Sequence, residues 1–212
     1  MRFGALLILM LGAAAVTASP ADERMPYIDI EPDPIDSLVA AVIAEHPERA
    51  QAAVALVSVP QQRLFLYEHG VRTASYPVST SRYGVGSLKG SEKTPLGAHR
   101  VRRKIGDGAP IGRIFRSRSD TGEDAEIVEE ARPTDLDYVT TRILWLDGLE
   151  AGVNQGGDVD SFERFIYIHG THEEGLIGRP ASHGCVRMRN ADVVEVFDRL
   201  PLDALVLITD EH

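Results

Sequence analysis

The spacing of apolar residues along the chain predicts one helix followed by a series of short strands. The first apolar residues recur at steps of three and four, as on one face of a helix, and are Ile35, Leu38, Val39, Val42 and Ile43. Asp33 is placed to cap this helix, with Pro34 at its first position, and Pro47 ends the pattern. We therefore predict a short helix over residues 35–50 that docks on the main domain.

Beyond this helix the pattern changes to that of strands. Alternating or continuously apolar runs, broken by Pro, Gly or Gln pairs, cover residues 53–59, 63–67, 71–78, 98–104, 143–147, 164–169 and 204–209. A helix capped by Asn190 is expected before the last of them. Since the first four runs follow one another without helices, they favour a β-meander over βαβ units. The predicted fold class is mostly β with short helices (α+β), with a mixed sheet or sandwich.

Two polar segments lie between these predicted elements. Residues 84–90 are rich in glycine, but they lack the glycine frame and the Gly-Lys-Ser/Thr ending of a phosphate loop, so we predict a substrate-side loop or a plain hairpin. Residues 120–137 hold eight acidic residues against the single Arg132, with neither helical nor strand periodicity. This stretch is interpreted as a solvated loop or as a flap that borders a cleft.

The N-terminal residues have the pattern of an export signal. Met1-Arg2 gives a positive start, residues 6–16 are apolar, and Val16-Thr17-Ala18 is a small-residue cleavage pattern. An anchor would need about 20 apolar residues, so we expect no membrane span after cleavage. The predicted organisation is a signal peptide over 1–18, a proline-rich extended leader over 19–34, the helix over 35–50 and one domain over 51–210, as a periplasmic monomer.

Charge excludes one class of partner. The 212-residue chain has a formal charge of −10, and loss of Arg2 with the signal peptide leaves 21 basic against 32 acidic residues, or −11. Such an acidic protein repels phosphate polyanions, so nucleic acid is not expected as a partner.

The chain contains a single cysteine, in the string Ser182-His183-Gly184-Cys185-Val186-Arg187-Met188. An exported protein with one thiol cannot form an internal disulfide, so Cys185 is either an intermolecular partner, a small buried hydrophobe or a reactive group. Its polar neighbours indicate an electropositive setting and therefore a nucleophile. A zinc site made by His169, His172, His183 and Cys185 remains an alternative. Ser182 is a weaker candidate nucleophile because His183, next in sequence, would point away from it.

A cysteine nucleophile needs a base and donors for the developing oxyanion. His169 is predicted to end a strongly apolar strand, which fixes its backbone, and Gly170 allows another segment to approach closely. Gly184 permits a turn in which the N–H groups of His183, Gly184 and Cys185 converge. Candidate bases are therefore His169 first, then His172 and His183.

These residues resemble a known family. His169-Gly170-Thr171, followed by Ser182 to Met188, is similar to the signature of the L,D-transpeptidase catalytic domain, whose members cross-link the bacterial cell wall through a cysteine. Thr94-Pro95-Leu96-Gly97 is similar to the Thr-Pro-x-Gly segment of that family. The resemblance extends over about residues 53–209.

The resemblance implies a β-rich catalytic domain that acts on peptidoglycan stem peptides without a cofactor. Cys185 would form a thioester with release of D-Ala, and His169 would be the base, oriented by the Gly170 carbonyl. His183 and Arg187 would shape the site and hold the donor peptide; Ser182 belongs to the same substrate side, with a mainly structural role. Hydrolysis by the same residues, as in an L,D-carboxypeptidase or amidase, is the nearest alternative, and a degenerate wall-binding module is the alternative outside the enzymes.

Overall fold

The protein, described by a computed structural model over residues 33–50 and 52–211, consists of two α-helices and ten strands in that part of the chain. In chain order they are α1 (Pro34–Glu45), β1 (Ala53–Ser58), β2 (Arg63–Glu68), β3 (Val71–Ser79), β4 (Gly97–Ile105), β5 (Arg113–Arg116), β6 (Ser119–Asp124), β7 (Val139–Gly148), β8 (Tyr167–Thr171), β9 (Val186–Met188), α2 (Asn190–Arg199) and β10 (Leu205–Thr209). The predicted signal peptide and most of the predicted leader lie outside the described residues. No helix of the described part is both long and apolar enough to cross a bilayer.

The strands form one sheet that closes on itself. Its order is β4-β10-β1-β2-β3-β9-β8-β7-β5-β6, and β7 also pairs with β4, so that eight strands make a ring and the β5–β6 hairpin extends from β7. The pairs β1–β10 and β8–β9 are parallel, and the other pairs are antiparallel. The predicted fold class, mostly β with short helices and a mixed sheet, is confirmed.

Side-chain alternation along the strands separates an inner from an outer surface of the ring. The inner surface holds the main apolar core, into which α2 packs Val193, Val196, Phe197 and Leu200. The strand residues of this core include Ala55, Leu64, Val78, Val101, Leu144, Leu146, Ile168, Val186, Met188 and Val206. The outer surface is covered by helix α1 over some strands and by aromatic side chains near Cys185 over others.

Helix α1 covers the outer surface of β1, β2 and β10. Asp33 accepts a hydrogen bond from the Ile35 N–H at 2.9 Å and Pro34 is the first helical residue, so the predicted cap is confirmed. Ile35 and Val39 are buried against this surface, as the predicted docking requires. The helix ends at Glu45, earlier than predicted, because the residue before Pro47 is restricted to non-helical conformations.

The predicted meander is correct for β1, β2 and β3 only. Strand β4 does not pair with β3; instead it crosses to the far side, where it pairs with β10 and β7. Neighbours in sequence need not be neighbours in a ring, and β4 closes it.

Three further predictions are wrong in detail. The acidic stretch is irregular only in part, since residues 119–124 form strand β6, paired with β5. Strand β8 begins at Tyr167 instead of residue 164, so His169 lies inside the strand instead of at its end. Asn190 is not the cap of α2: the Glu174 carboxylate accepts from the Asn190 N–H at 2.7 Å, while the Asn190 side chain bonds the Thr171 carbonyl.

Candidate active site

The parallel pairing of β8 with β9 brings the two ends of the motif together. Ile168 is paired with Val186 and His169 with Arg187, so Cys185, one residue before β9, lies beside Tyr167. Because alternate residues point to opposite surfaces, Ile168 and Val186 enter the inner core, and the other side chains point outward. Cys185, His169 and Arg187 therefore share the outer surface, although sixteen residues separate the first two in sequence.

The turn that carries Cys185 is fixed by hydrogen bonds within the motif. The Ser182 hydroxyl donates to the Cys185 carbonyl at 2.6 Å and accepts from the Gly184 N–H at 3.2 Å. The hydroxyl of Thr94, a residue of the Thr-Pro-x-Gly segment, donates to the Gly184 carbonyl at 3.0 Å. Gly184 has φ +120°, and a Cβ there would lie 3.3 Å from the Lys93 carbonyl oxygen. Only glycine takes this conformation without strain.

The same bonds bear on the predicted oxyanion site. Since the Gly184 N–H is already directed at Ser182, the predicted donors that remain are the N–H groups of His183 and Cys185. Ser182 is buried and its hydroxyl is hydrogen-bonded within the turn, which fits the structural role predicted for it.

Cys185 lies beside apolar side chains as well as within the influence of two cationic residues, Arg187 and Arg164. The half-buried side chain packs against a cluster formed by Phe115, Ile143, Trp145, Phe162 and Tyr167. Its thiol donates to the Phe165 carbonyl at 3.4 Å. Burial raises the pKa of the Cys185 thiol to about 12, against smaller opposing effects of a backbone N–H of Tyr167 and of Arg187 and Arg164. The resting thiol is protonated at neutral pH.

His169 is held as a neutral imidazole of defined tautomer. Its Nδ1 lies 2.8 Å from the Gly170 carbonyl oxygen, and because a carbonyl only accepts, Nδ1 must carry the proton and Nε2 the lone pair. Burial lowers the pKa of His169 to about 4, although Asp137 and the Gly170 carbonyl act in the other direction. The predicted orientation of the ring by the Gly170 carbonyl is thus present in the structure.

Gly170 also permits the close approach that its position predicts. A Cβ on this residue would lie 2.6 Å from the Asn190 side-chain oxygen and 2.8 Å from the Thr140 carbonyl oxygen. Any larger residue would push β8 away from α2 and β7. The backbone that carries His169 is therefore fixed from both sides.

Arg187 is the centre of a buried ionic network. Its guanidinium bonds Glu173 at 2.8 Å and Asp137 at 2.6 Å, and its side chain is 2% exposed. Asp137 also accepts from Nδ1 of His183 at 2.7 Å, and Arg82 bonds Nε2 of the same ring. The predicted contact of Arg187 with a donor peptide stays a prediction, because both of its bonds are to carboxylates of its own chain.

The other histidine of the motif region lies apart from the thiol. His172 is buried, its Nε2 lies 2.9 Å from the Thr134 hydroxyl oxygen, and its ring packs against Tyr138. Within residues 33–50 and 52–211, no three His, Cys, Asp or Glu side chains converge as a metal-binding group. The four ligands of the zinc alternative are thus not brought to one point.

Two cavities flank the motif. One of about 370 Å³ lies between residues 133–137 and residues 179–183, and one of about 340 Å³ is lined by Lys89, Arg164 and Phe165. His183 borders both cavities. The two cavities thus lie on either side of His183, two residues before Cys185, and Cys185 itself lines neither of them.

The family of the chain follows from its sequence as a whole. The model of the YkuD family, described as the L,D-transpeptidase catalytic domain, matches residues 52–208. The chain belongs to the L,D-transpeptidase family. The resemblance that the histidine and cysteine motifs carry is thereby confirmed.

Relatives share shorter segments with this L,D-transpeptidase chain. It is 43% identical over 58 residues to the putative L,D-transpeptidase YqjB of Bacillus subtilis, a match that covers 27% of this chain and 33% of that protein. It is 44% identical over 48 residues to the probable L,D-transpeptidase YbiS of Escherichia coli, covering 23% of this chain and 16% of that protein. The matches thus span a third or less of these relatives.

Solved structures are similar at low identity. Bd1075 of Bdellovibrio bacteriovorus has a TM-score of 0.48 at 17% identity and covers 77% of this chain and 50% of that one. L,D-transpeptidase 3 of Mycobacterium tuberculosis, solved with a faropenem-derived adduct, has a TM-score of 0.45 at 18% identity, covering 74% and 60%.

Sequence reasoning missed three residues that hold the L,D-transpeptidase motif in place. The sequence places Thr94 only within its Thr-Pro-x-Gly segment and Asp137 only among eight acidic residues, and it assigns no role to Glu173. The only sequence signal for Glu173 is its position four residues after His169. Its ion pair with Arg187 follows only from the pairing of β8 with β9, which the sequence does not predict.

Proposed function

We propose that this chain is an exported peptidoglycan L,D-transpeptidase that works through a thioester on Cys185. The observation that carries the proposal is the shared outer surface of Cys185 and His169, with Nδ1 of His169 bonded to the Gly170 carbonyl. This bond leaves the Nε2 lone pair as the proton acceptor. Together with membership of the L,D-transpeptidase family, it supports a nucleophile and base pair.

In the first step, Sγ of Cys185 attacks the carbonyl between the L-centre of diaminopimelate and the terminal D-Ala. The thiol proton passes to Nε2 of His169 as the S–C bond forms. Because burial favours the neutral form of both groups, this transfer accompanies the attack instead of preceding it. The N–H groups of His183 and Cys185 stabilise the oxyanion. His169 then returns the proton to the departing D-Ala nitrogen, and the C–N bond breaks to leave a thioester.

In the second step, an amine acceptor attacks the thioester. Nε2 of His169 takes a proton from the amine as the new amide bond forms, and the proton returns to Sγ as the S–C bond breaks. The enzyme is thereby restored, and neither step consumes an oxidant, reductant or cofactor. Arg187 holds the donor peptide, and Ser182, on the same substrate side, fixes the turn that carries Cys185.

Hydrolysis of the same thioester would make the enzyme an L,D-carboxypeptidase or an amidase. Transfer requires room for two peptides, whereas hydrolysis requires room for one peptide and water. The cavities of about 370 and 340 Å³, which meet at His183, favour a donor on one side and an acceptor on the other.

The localisation is proposed from the sequence pattern of residues 1–18, with the mature enzyme in the periplasm as a monomer that acts on peptidoglycan stem peptides. Its proposed organisation has the leader from residue 19 as far as the cap residue Asp33, then helix α1 and the catalytic domain over 51–210. Mass measurement of the exported protein tests the cut, which we expect after Ala18.

The test of function uses the purified mature protein. With muropeptides carrying tetrapeptide stems, we expect release of D-Ala and 3-3 cross-linked products by mass spectrometry. Tripeptide stems without cross-links would instead establish hydrolysis. A carbapenem, as a strained acyl donor, is expected to leave one covalent adduct on Cys185.

The variants Cys185→Ala and Cys185→Ser separate the nucleophile from the fold. Both exchange a small, half-buried side chain, so we expect loss of adduct and turnover with little change in melting temperature. Turnover at the wild-type rate in the Ala variant would disprove the cysteine mechanism.

A further inference from the structure

The acidic segment between β6 and β7 is fastened to the cysteine motif at two points. The N–H of Thr134 donates to Glu173, and so does its hydroxyl, at 2.9 Å. Three residues later, Asp137 bonds Arg187 at 2.6 Å and His183 at 2.7 Å. Unlike the solvated acidic residues before it, Asp137 thus faces the catalytic surface.

We infer that Asp137 is a positioning residue of the cysteine site, which orients His183 and Arg187 and whose negative charge stabilises the imidazolium formed at His169 during acylation. This inference rests on the proposed function, because its acylation step requires His169 to take a proton from Cys185. It assigns a catalytic contribution to a residue outside the motif.

The charges around His169 explain why a carboxylate is needed here. On this outer surface, Tyr167 lies on β8 and Cys185 and Arg187 at β9, while β7 contributes the neutral Ile143 as the partner of His169. When Cys185 loses its proton to His169, a cation forms beside the guanidinium of Arg187. Without compensation, that like charge would oppose the transfer.

The network supplies the compensation. Arg187 with Glu173 alone would be neutral, whereas Arg187 with both Glu173 and Asp137 carries a net charge of −1. Burial pushes the pKa of the Asp137 carboxyl upward, but the charges of Arg187 and His169 and its hydrogen bonds to His183 and Arg187 outweigh this, so that its pKa lies below the usual value. Asp137 is therefore ionised wherever the enzyme works.

Two observations assign the charge effect to His169 in preference to Cys185. Among the groups around His169, the Asp137 carboxylate opposes the effect of burial most strongly, whereas on Cys185 the same charge acts with burial and disfavours the thiolate. Asp137 also bonds Arg187, the register partner of His169. The side chain of Asp137 is 38% exposed, so water screens part of its charge and the effect is moderate.

The test compares Asp137→Asn with Asp135→Asn in the mature protein. Asparagine keeps the size of Asp137 and one of its two acceptor oxygens but removes its charge. Asp135 is a matched control because it lies on the same exposed segment. We measure the rate of acylation by a carbapenem at neutral pH and titrate the His169 ring by NMR.

In Asp137→Asn we expect acylation about tenfold slower, the change that corresponds to one pKa unit of His169. The pKa of His169 should fall further below its ordinary value, since the group that raises it is gone. Asp135→Asn should change neither quantity. Asp137→Glu, which restores the charge, should return the His169 pKa towards wild type even if the longer side chain slows acylation.

The possible outcomes separate this inference from the proposed function. An unchanged His169 pKa in folded Asp137→Asn overturns the inference, and so does slower acylation accompanied only by a lower melting temperature. If Asp137→Asn does not fold, Asp137→Ser takes its place as the variant without the charge, and an unchanged His169 pKa in that variant, or an equal fall in Asp135→Asn, overturns the inference. A wild-type protein that forms no adduct on Cys185 disproves the proposed function instead.

Discussion

The inner and outer surfaces of β7, β8 and β9 use the same three strands for different purposes. On the inner surface, Leu144, Leu146, Ile168, Val186 and Met188 are completely buried against α2 and the other strands. On the outer surface, the intervening positions hold Cys185, His169 and Arg187 beside aromatic side chains. A difference of one residue in register would exchange the two sets. Burial of the inner surface therefore fixes the strand register that places Cys185 and His169 on the same outer surface.

The largest effect on stability is expected from the inner surface. Leu146→Ala removes a completely buried side chain from β7, so we expect the free energy of unfolding to fall by about 2–5 kcal/mol. The carbapenem acylation rate of the remaining folded protein should stay within a few-fold of wild type. Leu146→Met, which conserves volume, is the control and should cost less than about 1.5 kcal/mol.

Denaturant unfolding and acylation kinetics measure the two quantities separately. Loss of acylation in fully folded Leu146→Ala would show that the two surfaces are not independent.

The next effect comes from the outer surface. His169→Ala removes the proposed base, so we expect the acylation rate to fall by at least ~10², the usual scale for loss of general-base catalysis. His172→Ala is the matched control, since this second buried histidine bonds Thr134 away from the thiol. Intact-protein mass spectrometry over time gives both rates. A loss below tenfold in His169→Ala would transfer the role of base to His172 or His183.

The smallest effect is expected from the rim of the outer surface. Glu123, Asp124, Glu126, Glu129 and Glu130 are all exposed, and replacing the five together with amides should weaken the use of cationic amine acceptors and reduce its salt dependence. The salt effect follows from a Debye length of about 8 Å at physiological ionic strength. Acylation of Cys185 should be nearly unchanged, because Asp137 is retained.

Melting temperature and acceptor competition assays check this variant. Only the Asp124 carboxylate forms an ion pair among these five in the described residues, with Arg113 at the surface, so little stability should be lost. A lower melting temperature with unchanged acceptor selectivity would make the segment part of the scaffold.

The inner surface was the easier of the two to predict from sequence. Nearly continuous apolar runs predict β1 and β10, and partly apolar runs predict β2, β3 and β4. The cap of α1 follows from Asp33 and Pro34. Strand β6 was missed because all six of its residues are polar or glycine and its side chains face solvent.

For the outer surface, the sequence predicted the reactive residues but not their environment. The motif identifies Cys185 and His169 because the residues around them, His169-Gly170-Thr171 and Ser182 to Met188, are typical of the family. The raised pKa of the Cys185 thiol could not be predicted, since the aromatic residues around it come from β5, β7, β8 and residue 162. Asp137 was hidden for a similar reason: in sequence it resembles its solvated neighbours, and Arg187 lies fifty residues away.

The parallel arrangement of β8 and β9 has a consequence for how the motif can vary. Two parallel neighbours cannot be joined by a tight turn, so the chain must leave one end of β8 and return to the opposite end before β9 begins. Residues 172–185 cover this return path. The number of residues between His169 and Cys185 therefore has a lower limit, set by this connection, but no fixed value. Chains with a longer return path can keep the same pair of reactive atoms, whereas a markedly shorter path would separate them.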